Sequence, residues 1–267
     1  MHDHGSGNGH MTVIHPSAVV DPGAMVGADV EIGPYCVIGH HVAIGDRTRL
    51  MSHVVLDGWT TLGAECRVFP FASIGTQTQD LKYAGGRSFV EIAEHTTLRE
   101  YVTVNSGTAE GEVTRIGANC HIMAYSHVAH ACQVGNGVIM SNGATLAGHV
   151  IIEDQAGVGG LSGVHQFVRI GKMAFVGGMT KITQDVPPFL LVDGNPATVR
   201  GINQVGLERR SVTAESLHEL KKAYRILYRE GLSTKQAVEK IKAEPIVCAE
   251  SQYLLAFIEG SERGIIK

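Results

Sequence analysis

Residues 116–151 read IGANCH, IMAYSH, VAHACQ, VGNGVI, MSNGAT and LAGHVI, six hexads that each open on a long aliphatic side chain. The spacing runs on through Ile152, Val158, Val164, Ile170, Val176 and Ile182 without a miss. Four residues after each aliphatic position comes a second inner register of mostly small side chains, among them Cys120, Ser126, Cys132, Ala144, Ala156, Ser162 and Ala174. A period of six matches neither the roughly 3.6-residue period of a helix nor the roughly 2-residue period of a strand, so it describes a repeating unit of the fold itself. The expected fold is an all-β solenoid, a parallel β-helix. Three hexads would close one triangular coil and return the chain one sheet spacing, roughly 4.8 Å, along the axis.

Working outward, the same phase begins at Ile14 and holds through Val20, Val26, Ile32, Ile38, Ile44, Leu50, Leu56, Leu62, Val68 and Ile74. It lapses at Asp80 and Gly86, resumes at Ile92, Leu98 and Val104, and lapses again at Glu110. A solenoid accepts insertions only as loops thrown out of its wall, which predicts a column over 12–190, of about ten coils, with extruded loops near 77–90 and 108–115. The first loop carries Asp80, Lys82 and Tyr83, charge and an aromatic ring together; the second is small and glycine-containing, and reads as an inert excursion. Glycines directly after the aliphatic position, such as Gly27, Gly33, Gly117, Gly135 and Gly171, are expected at corners needing unusual backbone angles.

Pro187, Pro188 and the Gly194-Asn195-Pro196 turn break the pattern, and 191–267 reads as a linker and a small helical domain. Thr213 caps a helix with Leu217, Leu220, Tyr224, Leu227 and Tyr228 on one face, Ser233 and Gln236 form a capping box, and a third helix covers Cys248 to Glu259.

A hydrophobic fraction of 44% suits a globular protein, and a net charge of −4, from 22 basic and 26 acidic residues, argues against nucleic acid or an anionic membrane as partner. Met1 to His10 has neither a secretory signal's apolar run nor a membrane span, so the chain is expected in the cytoplasm without stable membrane insertion. Residues 1–11 read as a disordered leader, in spite of His2, His4 and His10. Cys36, Cys66, Cys120 and Cys132 fall in the small inner register and Cys248 in the helical region; their spacing indicates no disulfide framework and no zinc ribbon.

Chemistry concentrates at His127 and His130, which flank one inner aliphatic residue, with His149 and His165 on the next coils. A period of eighteen stacks His130, Gly148 and Gln166 on adjacent coils. That sets a potential base beside a bare glycine N–H, with room for a carbonyl to approach it. A set of ordinary surface histidines is the bland alternative.

The runs GTQTQDLKYAG, HVAHAC, ATLAGHV, GVHQF, VGGMTKITQDVPPF, GNPA and GLERR together resemble the bacterial UDP-N-acetylglucosamine acyltransferase family over essentially Met11 to Lys267. The resemblance implies a left-handed coil and transfer of a (3R)-hydroxyacyl chain from acyl carrier protein to the 3-position of UDP-N-acetylglucosamine, the first step of lipid A synthesis. No metal or other cofactor is implied beyond the carrier's phosphopantetheine. On matching positions His130 would be the general base and the Gly148 N–H the oxyanion hole. Asp80, Lys82, His127, His149, His165 and Gln166 would line the sugar and acyl-donor pocket, and Asn203, Arg209 and Arg210 would hold the nucleotide diphosphate or the phosphopantetheine. Gly178 would leave room for a chain nearer fourteen carbons than ten. The family forms homotrimers with sites between columns, so the Asp80 loop is expected to serve a neighbouring copy. Two departures stand out: Ala131 replaces the usual acid after the histidine, and Asn105 replaces a common histidine. Both keep open an acceptor with a 3-amino group and an amide product. A hexapeptide-class zinc carbonic anhydrase using His127, His130 and His149, and a non-catalytic scaffold, are the other classes weighed.

Overall fold

A computed structural model describes residues 11–244 and 248–267. The expected leader therefore lies outside the described residues, except for the exposed Met11. From Val13 the chain winds as a left-handed parallel β-helix with three walls, sheets of 11, 9 and 8 strands. Successive two-residue strands such as His121–Ile122, His127–Val128 and Gln133–Val134 belong to the first, second and third wall in turn. Pairing is between residues eighteen apart: Ile122 with Met140, Val128 with Leu146, Val134 with Ile152.

The aliphatic register and its small companions fill the column. Ile122, Val128, Met140, Leu146, Cys132 and Ala144 are all fully buried. Burial of each long aliphatic side chain contributes about 1.5–3 kcal/mol. Leu146→Ala is therefore expected to destabilise the column by about 2–5 kcal/mol, through lost transfer energy and the cavity left behind. A urea-unfolding midpoint equal to that of the parent protein would contradict this account of the core.

The glycines after the aliphatic positions do something other than expected. Corner residues with positive φ are mostly not glycine: Tyr35, His53, Phe71, Tyr101 and Tyr125 occupy one corner and Ala131, His149 and Phe167 another. Gly33 and Gly117 are instead places of close approach, where a Cβ would come within 2.8 Å of Met51 C and 2.6 Å of Gly135 C. They are small because the coil above sits on them. The left-handed corners keep their larger side chains by stacking them on neighbouring coils, as Tyr101 does on Phe71 at 5.0 Å and on Tyr125 at 4.9 Å.

Both insertions leave the wall as loops, between the strands Ser73–Thr76 and Phe89–Ile92 and between Thr103–Asn105 and Val113–Ile116. They are tied together: Ser88 Oγ donates to Gly107 O at 2.9 Å, and Arg87 N to Glu110 Oε2 at 2.7 Å. Asn105 is buried, and its amide donates to Gln77 O at 2.9 Å, pinning the start of the first loop to the wall.

The column does not stop at residue 190. Leu190–Asp193 joins the first wall parallel to Phe175–Val176, and Thr198–Ile202 returns antiparallel to it, so the expected boundary falls inside a strand. A short helix not anticipated from the sequence, α1 (Gln204–Arg209), precedes α2 (Ala214–Arg229), α3 (Thr234–Lys242) and α4 (Ala249–Glu259). Thr213 caps α2 and the Ser233/Gln236 capping box opens α3. Leu220, Ile226, Leu227, Leu254, Phe257 and Ile258 build a second core with Phe189. Tyr253 Oη donates to Glu153 Oε2 at 2.8 Å, fixing α4 to the column. Among the described residues no helix is long and apolar enough to cross a membrane.

Candidate functional site

His130 stands at the corner between the second and third walls, just after the strand His127–Val128. Its ring lies directly on Gly148 of the next coil, where a Cβ would come within 2.2 Å of His130 Cε1 and 2.3 Å of Nε2. Only glycine fits under that imidazole. Gly148 is buried, yet its N–H donates to no described group, an uncommon state for a buried main-chain donor. The rest of the corner is held by main-chain bonds from His149 N to His130 O, at 3.0 Å, and from Phe167 N to Gly148 O, at 3.2 Å. His149 meets the His130 ring edge-on at 5.0 Å and stacks on Phe167 at 4.8 Å.

Two carboxylates converge on this ring from the two extruded loops. Asp80 Oδ2 lies 3.8 Å from His130 Nε2. Glu112 brings a carboxylate oxygen to within 4.8 Å of a ring nitrogen of His130 and of one of His149. Thr108 links the two acids, its N–H donating to Glu112 Oε2 at 2.7 Å and its hydroxyl to Asp80 Oδ2 at 3.4 Å. Burial lowers the pKa of His130, the facing His149 adds to that, and Asp80 and Glu112 pull upward without cancelling it. The imidazole is thus held in its neutral, proton-accepting form at neutral pH. Burial opposes ionisation of Glu112, but the Ala109 and Thr108 amides and the two imidazoles outweigh it, so its carboxyl titrates below the ordinary range. The Lys82 amide, donating to Asp80, likewise keeps that acid ionised.

Around the corner, His127 and His165 line a cleft of about 350 Å³ on the second wall together with Ala129, Ala147 and Lys181. His127 is half-buried, and its Nδ1 is 2.7 Å from Thr103 Oγ1; burial first, and His130 second, lower its pKa. Gln166 and the Lys82 side chain are exposed beside the corner. The third set lies apart: Asn203, Arg209 and Arg210 line a separate cavity of about 380 Å³ on the first wall with Ile139, Phe175 and Leu191. Asn203 is committed to the fold, capping α1 through Gly206 N and donating to Met173 O. Arg209 is exposed. At Gly178 an added Cβ would meet only the Gly160 main chain, with Gly160 O at 3.4 Å, so that surface is open.

One expectation changes. Asp80 sits at the His130 of its own chain, because the loop folds back over the corner and is tied there through Thr108. Among the described residues of one chain the group in mutual reach is Glu112, His130 and His149, while His127 turns to Thr103. Glu112 lies in the second loop, whose sequence reads as an inert excursion, so no motif singles it out. Counting back eighteen residues from His130, as Arg115 pairs with Gln133, leads to it.

The C-terminal part, residues 185–266, matches the family model described as UDP-N-acetylglucosamine O-acyltransferase, domain 2, and residues 11–45 and 114–148 match the bacterial transferase hexapeptide model. The chain is 48% identical over 262 residues to an O-acyltransferase of Verminephrobacter eiseniae named for acyl-carrier-protein donor and UDP-N-acetylglucosamine acceptor, covering 96% of this chain and all of the relative. A UDP-N-acetylglucosamine acyltransferase structure from Bacteroides fragilis superimposes with a TM-score of 0.93 at 39% identity, over 96% of this chain and 100% of that one. Another, from Campylobacter jejuni, gives 0.89 at 39% identity, over 95% and 98%.

Proposed function

The chain belongs to the UDP-N-acetylglucosamine O-acyltransferase family, and on that premise we propose that it moves a (3R)-hydroxyacyl chain from acyl carrier protein to the 3-position of UDP-N-acetylglucosamine, the first step of lipid A synthesis. The observation that carries the mechanism is the His130 ring resting on Gly148, whose buried N–H has no partner among the described residues. His130 takes the proton from the acceptor hydroxyl as its oxygen attacks the thioester carbonyl carbon. The carbonyl oxygen gains the negative charge, and the Gly148 N–H stabilises it in a site already oriented before reaction. On collapse the C–S bond breaks, the ester forms, and the imidazolium returns the proton to the phosphopantetheine thiolate. Neither metal nor covalent intermediate is needed, and no cofactor beyond the carrier's own arm.

His127, His149, His165, Gln166, Asp80 and Lys82 surround the sugar and the reacting end of the donor in this reading. Within one chain Arg209 and Arg210 line a separate cavity on the first wall. In a homotrimer with sites shared between columns, a second copy would supply Arg209 and Arg210 to the phosphates. Paired guanidinium groups suit phosphate oxygens. The open surface at Gly178 suits a long acyl chain, nearer fourteen carbons than ten. The enzyme works in the cytoplasm, where carrier and sugar nucleotide are made.

The deciding assay mixes purified protein with a (3R)-hydroxyacyl carrier protein and, in turn, UDP-N-acetylglucosamine and its 3-amino analogue, and weighs the products. An ester on the first acceptor is expected. Amide from the second alone would transfer the assignment to N-acylation, and no acylated sugar from either would remove it.

A further inference from the structure

We infer that Glu112 is the positioning carboxylate of the acyl-transfer site, holding the His130 imidazole in place and stabilising its positive charge after it takes the proton. The inference rests on the function proposed above and deepens it. Its starting point is a gap at the base itself: His130 Nδ1 is buried and has no hydrogen-bond partner among the described residues. A general base whose second nitrogen lacks an acceptor is poorly oriented and gains charge at high cost in a half-buried site. Position 131, the nearest in sequence, is an alanine whose N–H is used by Thr114 Oγ1 at 2.9 Å. The chain therefore offers no carboxylate immediately after the base.

The coil below does. Glu112 lies three residues before Arg115, which pairs with Gln133 on the next coil, and its carboxylate comes within 4.8 Å of one nitrogen of His130 and one of His149. Its backbone is fixed on both sides, the N–H donating to Ala109 O at 3.2 Å and the carbonyl accepting from Phe89 N at 2.8 Å. One carboxylate oxygen, Oε2, accepts from Thr108 N at 2.7 Å and Ala109 N at 3.0 Å. The other, Oε1, accepts from no described residue and remains for the imidazole. Asp80 is a poor substitute for an Nδ1 partner, since it faces Nε2 and is itself held by the Lys82 amide. Two acids thus approach the ring, Asp80 at the Nε2 edge and Glu112 from the second loop. His149 and His127 are the other titratable groups against it, and neither carries negative charge.

Glu112 also ties down its own loop, and the test must separate that role from the one inferred. Glu112→Gln keeps an oxygen for the Thr108 and Ala109 amides and removes the charge, whereas Glu112→Ala removes both. Steady-state rates of the full chain with hydroxyacyl carrier protein and UDP-N-acetylglucosamine are expected to show kcat lowered about 10- to 100-fold in both variants. KM for the sugar nucleotide should stay within about twofold and the melting temperature of the glutamine variant unchanged. A glutamine variant near the parent rate beside a defective alanine variant would reduce Glu112 to a loop brace. Parent-like rates in both, or losses confined to KM, would equally overturn the inference. An inactive parent protein would instead strike the function proposed above, so the two failures are distinguishable.

Discussion

Replacing His130 with alanine is expected to lower acyl transfer by about a hundred- to ten-thousand-fold, the usual contribution of a positioned general base. The fold should survive, because His130 is a half-buried corner residue outside the aliphatic registers that fill the column. The parent enzyme should also show a pH signature that the variant lacks. The folded pKa of His130 is lowered, mainly by burial, and the deprotonated form is the one that accepts the proton. Activity (kcat/KM) should therefore climb through a midpoint below the ordinary imidazole value and be flat above it. A variant that keeps more than about a tenth of the rate, or a parent profile without that limb, would show the base to be another group.

Gly148→Ala should be nearly as damaging, for a steric reason. Its new methyl would sit 2.2 Å from His130 Cε1, and the ring has little freedom to escape, with His149 edge-on at 5.0 Å and Asp80 at 3.8 Å. Displacing a reacting group by about 1 Å commonly costs about a hundredfold in rate. We expect a loss of that size in kcat with a modest loss of stability, since one side chain moves and no cavity opens. Gly201→Ala is the matched control, because nothing lies within 4 Å of the added carbon there. Equal activity in the two variants would show that the contact between glycine and imidazole has no catalytic weight.

The column was legible in the sequence because its period is enforced by packing: a polar residue at 122, 128 or 146 would be buried among carbon atoms. The pairing of His130 with Gly148 followed from the same arithmetic, since eighteen residues make one full turn. What the arithmetic lost was whatever the insertions carried. At Glu110 the hexad lapses, and Glu112 lies in the interrupted stretch just before the wall resumes at Val113. Asn105 was read by comparison with a missing histidine, whereas its amide fastens the first loop to the wall. The strand Leu190–Asp193 was hidden by Pro187 and Pro188, which sequence rules take as a stop. The chain there still meets the column, Gly171 N donating to Val186 O at 2.8 Å.

The two ends of the column differ. At one end α1 to α4 are anchored on the last coils; at the other, Val13, Val19 and Met25 are exposed among the described residues. Whole turns could be gained or shed at that second end without altering the catalytic corner, which depends only on the coils that bear residues 80, 112, 130 and 148. Below those coils the barrel is a pedestal of adjustable height, and divergence among its relatives in that stretch would leave their chemistry alone.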